Sequence, residues 1–63
     1  MCESSVFVRK ESGDELLMED VARVVPENGN VRVMTLLGDE ESVTGEIIEI
    51  DLMAHRIIVK PKS

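Results

Sequence analysis

The stretch DELLMEDVARVV (Asp14–Val25) decides the fold, because it reads in two ways. At a period of 3.6 residues it is a helix. Asp14 stands where an N-cap belongs, Leu17, Val21 and Val24 fall on one side, and Pro26 stops the run. At a period of two it is a strand, with Val21, Arg23 and Val25 on one face and Ala22 and Val24 on the other. Residue type tips the balance towards the strand. Val21, Val24 and Val25 crowd into one short run, and β-branched side chains are stiff in a helix but pack well on a pleated surface.

The flanking sequence agrees with an all-β chain. Downstream, PENGN (Pro26–Asn30) contains Asn28-Gly29, a tight-hairpin signal because both residues tolerate positive φ. VRVMTLL then alternates, with Val31, Val33 and Thr35 on one face and Arg32, Met34 and Leu36 on the other. GDEES (Gly38–Ser42) reads as a turn before VTGEIIEID, and DLMAH (Asp51–His55) as a turn before RIIVK. The apolar phase slips at Ile47-Ile48, which predicts a β-bulge there, with Gly45 permitting the bend. Upstream, SVFVR and the turn ESGD (Glu11–Asp14) complete the set. This spacing predicts a small, mainly antiparallel barrel of about five to seven strands. Val6, Val8, Leu17, Val24, Val33, Ile48, Ile50 and Ile57 are its expected core, and residues 1–63 its single domain.

A 63-residue chain has a limited core. Folding at this size buries only about 60% of the unfolded surface. Such a core supplies roughly 3–5 kcal/mol, so a staple is expected. Cys2 is the one cysteine and His55 the one histidine, which excludes an internal disulfide and leaves too few ligands for a structural zinc site within one chain. Association into a homodimer is the staple that remains.

Thirteen acidic residues against seven Lys plus Arg give a formal net charge of -6. That balance repels phosphate backbones, and Phe7 is the one aromatic on which a base could stack. Nucleic acid is therefore not the expected partner, unless Arg9, Lys10, Arg56, Lys60 and Lys62 gather into one basic patch. No apolar run approaches the length of a membrane span and no targeting segment is visible, so the expected location is cytoplasmic, where a lone thiol stays reduced.

No motif for catalysis appears: there is no HExxH, no glycine-rich phosphate loop and no nucleophile with a base in order. Asp39-Glu40-Glu41 reads as a solvated turn, His55 as a turn or sheet-edge residue, and Met18, Met34 and Met53 as core filler. Cys2 has a distinct chemistry by position. Removal of Met1 would leave a cysteine whose α-amine and thiolate can close a five-membered chelate. Their ordinary pKa values, about 7.7–8.0 and 8.5, let a metal displace both protons near neutrality. Nitrogen and sulfur donors from two chains would suit Ni(II) or Cu(II) in a square plane.

Taken together, the opening MCES with VFV behind it, the segment EDVARVVPENGNVRVMTLLGDE and the ending GEIIEIDLMAHRIIVK resemble the small CooT-like nickel-binding proteins. The likeness spans nearly the whole chain. It implies a compact SH3-like or Sm-like antiparallel β-barrel, a homodimer, and Ni(II) held through Cys2. It also implies an accessory role, not an enzymatic one, in supplying nickel to carbon monoxide dehydrogenase. The alternative from the same likeness is an Sm-like RNA-binding or protein-interaction module without metal.

Overall fold

The computed structural model describes residues 3–62. Among these, all regular structure is strand: β1 (Ser4–Lys10), β2 (Gly13–Glu27), β3 (Asn30–Thr35), β4 (Glu40–Asp51) and β5 (Arg56–Pro61). Asp14–Val25 lies within β2, so the strand reading holds. Sequential neighbours pair antiparallel, and β1 pairs parallel with β5 to close the barrel.

Two long strands make the closure possible, because each serves two partners. The first half of β2 pairs with β1 from Lys10↔Gly13 to Val6↔Met18, and its second half pairs with β3 from Val21↔Thr35 to Glu27↔Asn30. Between the halves the register slips and Asp20 takes φ 57°, a left-handed conformation that Asp accepts better than most residues. β4 does the same. Thr44 is the last residue opposite β3 and Gly45 the first opposite β5. At that crossing a side chain is excluded: a Cβ on Gly45 would collide with the carbonyl oxygen of Lys60 and lie 2.8 Å from Cα of Pro61. The Asn28-Gly29 hairpin is as expected, with Gly29 at φ 88° and Glu27 opposite Asn30.

Val6, Val21, Val31, Val33 and Val59 form the buried interior, and Leu17, Met18, Val24, Ile47 and Ile57 pack against it. Six of the eight expected core residues are therefore in or against the core or buried beside it, as Val8 is. Ile48 and Ile50 are corrections: both are exposed. The expected bulge explains Ile48. The register slips between Ile47 and Glu49, so Ile47 takes the inward place opposite Val59 and Ile48 is left out of the ladder. Ile50 stands opposite Ile57, but one residue from the end of β4, where little covers it.

Ile58 is fully buried without belonging to the interior cluster. Its strand neighbours Ile57 and Val59 stand beside the inward Val6 and Val8, so Ile58 faces outward beside Phe7 and Glu49. Long side chains close over that face. The Arg56 guanidinium lies 5.5 Å from the centre of the Phe7 ring. Arg9 on β1 reaches past β5 to within 3.9 Å of Glu49 on β4. The stems of such residues cover apolar surface while their heads stay in water.

Ile58→Ala should therefore destabilise the barrel by about 2–5 kcal/mol, as for other fully buried Ile truncations. Ile48→Ala should cost about 1 kcal/mol or less, in the range of exposed sites. Urea midpoints for the two variants, read at unchanged m-value, check the contrast.

Candidate functional site

The metal candidate Cys2 lies outside the described residues; the chain is described from Glu3 and enters β1 at Ser4. What surrounds that entry is clear. Ser4 stands opposite Val21, and Val21 opposite Thr35. On the other side the Ser5 amide donates to the carbonyl of His55 at 2.9 Å. The start of β1 is thus flanked by the bend of β2, the β3–β4 turn and the β4–β5 turn, which together form one rim of the barrel.

Each turn at the rim is fixed by local hydrogen bonds. In the β3–β4 turn the Thr35 amide donates to the Asp39 carbonyl at 2.8 Å, and the Asp39 amide donates to Thr35 Oγ1 at 3.1 Å. In the β4–β5 turn Asp51 Oδ1 accepts from the amides of Met53 and Ala54 at 3.1 and 2.9 Å. His55 ends that turn at φ 57°. Its backbone is tied to β1 through Ser5, while its exposed imidazole makes no hydrogen bond among the described residues.

The other candidates do not converge with it. Among the described residues no group of three or more His, Cys, Asp or Glu is placed to hold a metal ion. Asp39 belongs to the turn, whereas Glu40 and Glu41 open β4, and Glu40 is drawn to Arg32 at 3.5 Å. Met18 packs on the core and Met34 is half-buried. Met53 is a correction: it stands 92% exposed in the β4–β5 turn and fills nothing.

Four of the five basic residues lie on the neighbouring strands β1 and β5, with Lys62 just past β5, and they form no single basic patch. β1 and β5 are adjacent, but carboxylates of the strands on either side answer all of these cations except Lys62. Asp14 stands opposite Arg9, Glu46 opposite Lys60 and Asp51 opposite Arg56. Arg9 Nε donates to Asp14 Oδ1 at 2.8 Å, and Lys10 Nζ lies 2.6 Å from Glu15. The result is a face of mixed sign, and its one aromatic lies under Arg56.

What the residue patterns did not single out is an apolar feature of the rim. Leu36 and Leu37 in the β3–β4 turn are 80% and 93% exposed, and Leu52 beside Met53 is 79% exposed. A signal existed: both pairs sit against turn residues, Gly38 and Asp51, where polar side chains are the rule. Leu36 and Leu37 line a shallow recess with Glu3, Glu19, Asp20 and Asp39.

Arg9 and Asp14 give a pH test of the mixed-sign face. The hydrogen bond from Arg9, aided by its charge, holds the Asp14 carboxyl below the usual carboxylate value, and the same bond raises Arg9. A carboxyl with a lowered folded pKa adds stability above its unfolded value, about 3.9, and loses it as pH falls through the folded one. The Tm difference between wild type and Asp14→Asn, present at pH 7, should close as the pH drops below about 4. Thermal melts of both proteins from pH 7 to 2.5 measure it.

With the geometry in place, comparison with known proteins is informative. Residues 1–60 match the sequence profile of the family described as CO dehydrogenase accessory protein CooT. An uncharacterized protein of Archaeoglobus fulgidus is 44% identical over 43 residues, which cover 68% of this chain and 96% of that protein. The crystal structure described as "putative CooT from Carboxydothermus hydrogenoformans" superposes with a TM-score of 0.85 at 24% identity, covering 98% of this chain and 100% of that one, and shows the same fold. No helix among the described residues is long and apolar enough to cross a membrane. The chain belongs to the CooT family of CO dehydrogenase accessory proteins, which are helpers of an enzyme and not enzymes themselves.

Proposed function

We propose that this protein carries Ni(II) as cargo for a nickel-dependent CO dehydrogenase. The ligands are the Cys2 thiolate and the α-amine freed when Met1 is removed, in a cytoplasmic homodimer that brings two such chain ends together. The observation that carries the reading is the family match, which starts at residue 1 and so includes Cys2. Chemistry supports it. Among the described residues no carboxylate or imidazole cluster competes for a metal, and a thiolate with an amine suits Ni(II) better than oxygen donors do. The chelate forms only after cleavage, because in the uncleaved chain the first nitrogen and the sulfur belong to different residues.

The fold also fits a ligand kept separate from the packing. The ladder begins at Ser4, and the interior is built from Val6 onwards. Cys2→Ser should therefore leave the barrel and the dimer unchanged while removing nickel binding, since a serine hydroxyl is too weakly acidic to replace a thiolate. The test is Ni(II) titration of three proteins: wild type with Met1 removed, wild type with Met1 retained, and Cys2→Ser. Thiolate-to-metal charge-transfer absorption should appear with the first, weaken strongly with the second and be absent from the third. Equal nickel affinity in Cys2→Ser and cleaved wild type would place the ligands elsewhere, with His55 the next residue to exchange. Native mass spectrometry of the same samples counts chains and ions.

A further inference from the structure

We infer that the recess formed by Leu36 and Leu37 with Glu3, Glu19, Asp20 and Asp39 is the docking surface for a protein partner that presents an apolar centre ringed by Lys and Arg. On the reading above, that partner is the nickel-free CO dehydrogenase. Two independent features of the rim lead there.

The first is apolar exposure. Leu36 and Leu37 are adjacent, nearly fully exposed and held in a turn by Thr35 and Asp39. Their position is thus set before any partner arrives. Large apolar side chains grouped in this way and rimmed by polar residues mark interaction sites, whereas scattered single ones do not. The second is uncompensated charge. Of the other acids, Asp14, Glu15, Glu27, Glu40 and Glu49 each have an Arg or Lys nitrogen at 3.9 Å or less, Glu46 and Asp51 stand opposite Lys60 and Arg56, and Glu11 and Glu41 are unpaired among the described residues but line no recess. The four carboxylates of the recess have no such partner among the described residues. A basic collar supplies the missing charge, and the leucines supply the dry centre that a specific contact needs.

Charge also decides against a second copy of this chain as the occupant. Two recesses face to face would set four carboxylates against four, and like charges across an interface oppose association. Glu3, which lines the recess, follows Cys2 in the chain, so a partner seated there would dock next to the proposed ligand.

The experiment measures binding of nickel-free CO dehydrogenase by calorimetry to wild type, Leu36→Ser/Leu37→Ser, Glu19→Gln/Asp39→Asn and Leu52→Ser/Met53→Ser, at low and physiological salt. Wild type should bind, more weakly as salt rises. The Leu36/Leu37 variant should lose at least tenfold in affinity, and the Glu19/Asp39 variant should bind more weakly with a flatter salt response. The Leu52/Met53 variant should bind as wild type, because that turn is equally apolar but its Asp51 carboxylate is already engaged by Met53 and Ala54. Equal binding by all four proteins, no binding by wild type, or equal loss in both leucine-containing turns overturns the proposal. So does sedimentation showing that Leu36→Ser/Leu37→Ser separates the homodimer, which would assign the surface to a second copy. Nickel titration of the same proteins keeps the two readings distinct. Wild type that docks through Leu36 and Leu37 but takes up no nickel at Cys2 sinks the cargo reading and leaves the docking surface standing.

Discussion

The structure depends on bending two strands. A closed barrel of five strands leaves no free edge, yet no straight strand in so short a chain can serve two neighbours that diverge. β2 and β4, the two longest strands, resolve this by turning partway along. β2 turns at Asp20, where a left-handed residue and a register slip redirect it from β1 to β3. β4 turns at Gly45, where it passes from β3 to β5 so close to the Lys60 carbonyl that no Cβ fits. Once both have turned, β1 and β5 arrive side by side in the same direction. Their parallel pairing from Ser5↔Arg56 to Val8↔Val59 seals the interior valines.

The rim at the start of β1 is a product of that geometry. The bend at Asp20 sets Val21 between Ser4 and Thr35, so the chain start, the β3–β4 turn and the corner of β2 meet at one end. The same bend points residues on either side of it into the recess: Glu19 and Asp20 come from the corner itself, Leu36, Leu37 and Asp39 from the turn that follows Thr35. The opposite end, at Gly29, Gly45 and Pro61, is built from backbone crossing backbone and carries Lys60 and Lys62. The acidic, apolar end and the end with the C-terminal lysines are thus set by where the two long strands turn.

Much of the fold was legible because its signals are local. Valine-rich alternation identified the strands, Asn28-Gly29 the tight hairpin, and the phase slip at Ile47-Ile48 the bulge. The helical alternative for Asp14–Val25 failed for the reason its valines suggested. Which side of a bulge faces inward is a different kind of information. It depends on register with β5, and so Ile47 is packed where Ile48 was expected. Ile58 was missed for a related reason: it is buried on the outward face by side chains from β1, β4 and β5 that only closure of the barrel brings together. Cys2 was singled out by its position in the chain and lies outside the described residues. The recess was not legible, because Glu3, Glu19, Leu36 and Asp39 become neighbours only through pairing of distant segments.

The distribution of charge gives the barrel an acidic rim. An acidic excess spread evenly would aid solubility and little else. Here ion pairs neutralise much of the outer face of β1 and its neighbours, and at the rim where the chain leads into β1 four carboxylates have no Arg or Lys partner among the described residues. Charges of one sign gathered at a recess raise the local concentration of ions of the other sign and speed their arrival. Carboxylates are hard donors, however, and among the described residues no three of them are placed to hold a metal ion. Retention falls to softer donors, which for Ni(II) are nitrogen and sulfur. On the proposed function, capture by the rim's oxygens and retention by the Cys2 sulfur and amine would fall to different residues. Exchanging either set should then leave the other's contribution measurable, and the barrel beneath both is held by valines that take no part in the chemistry.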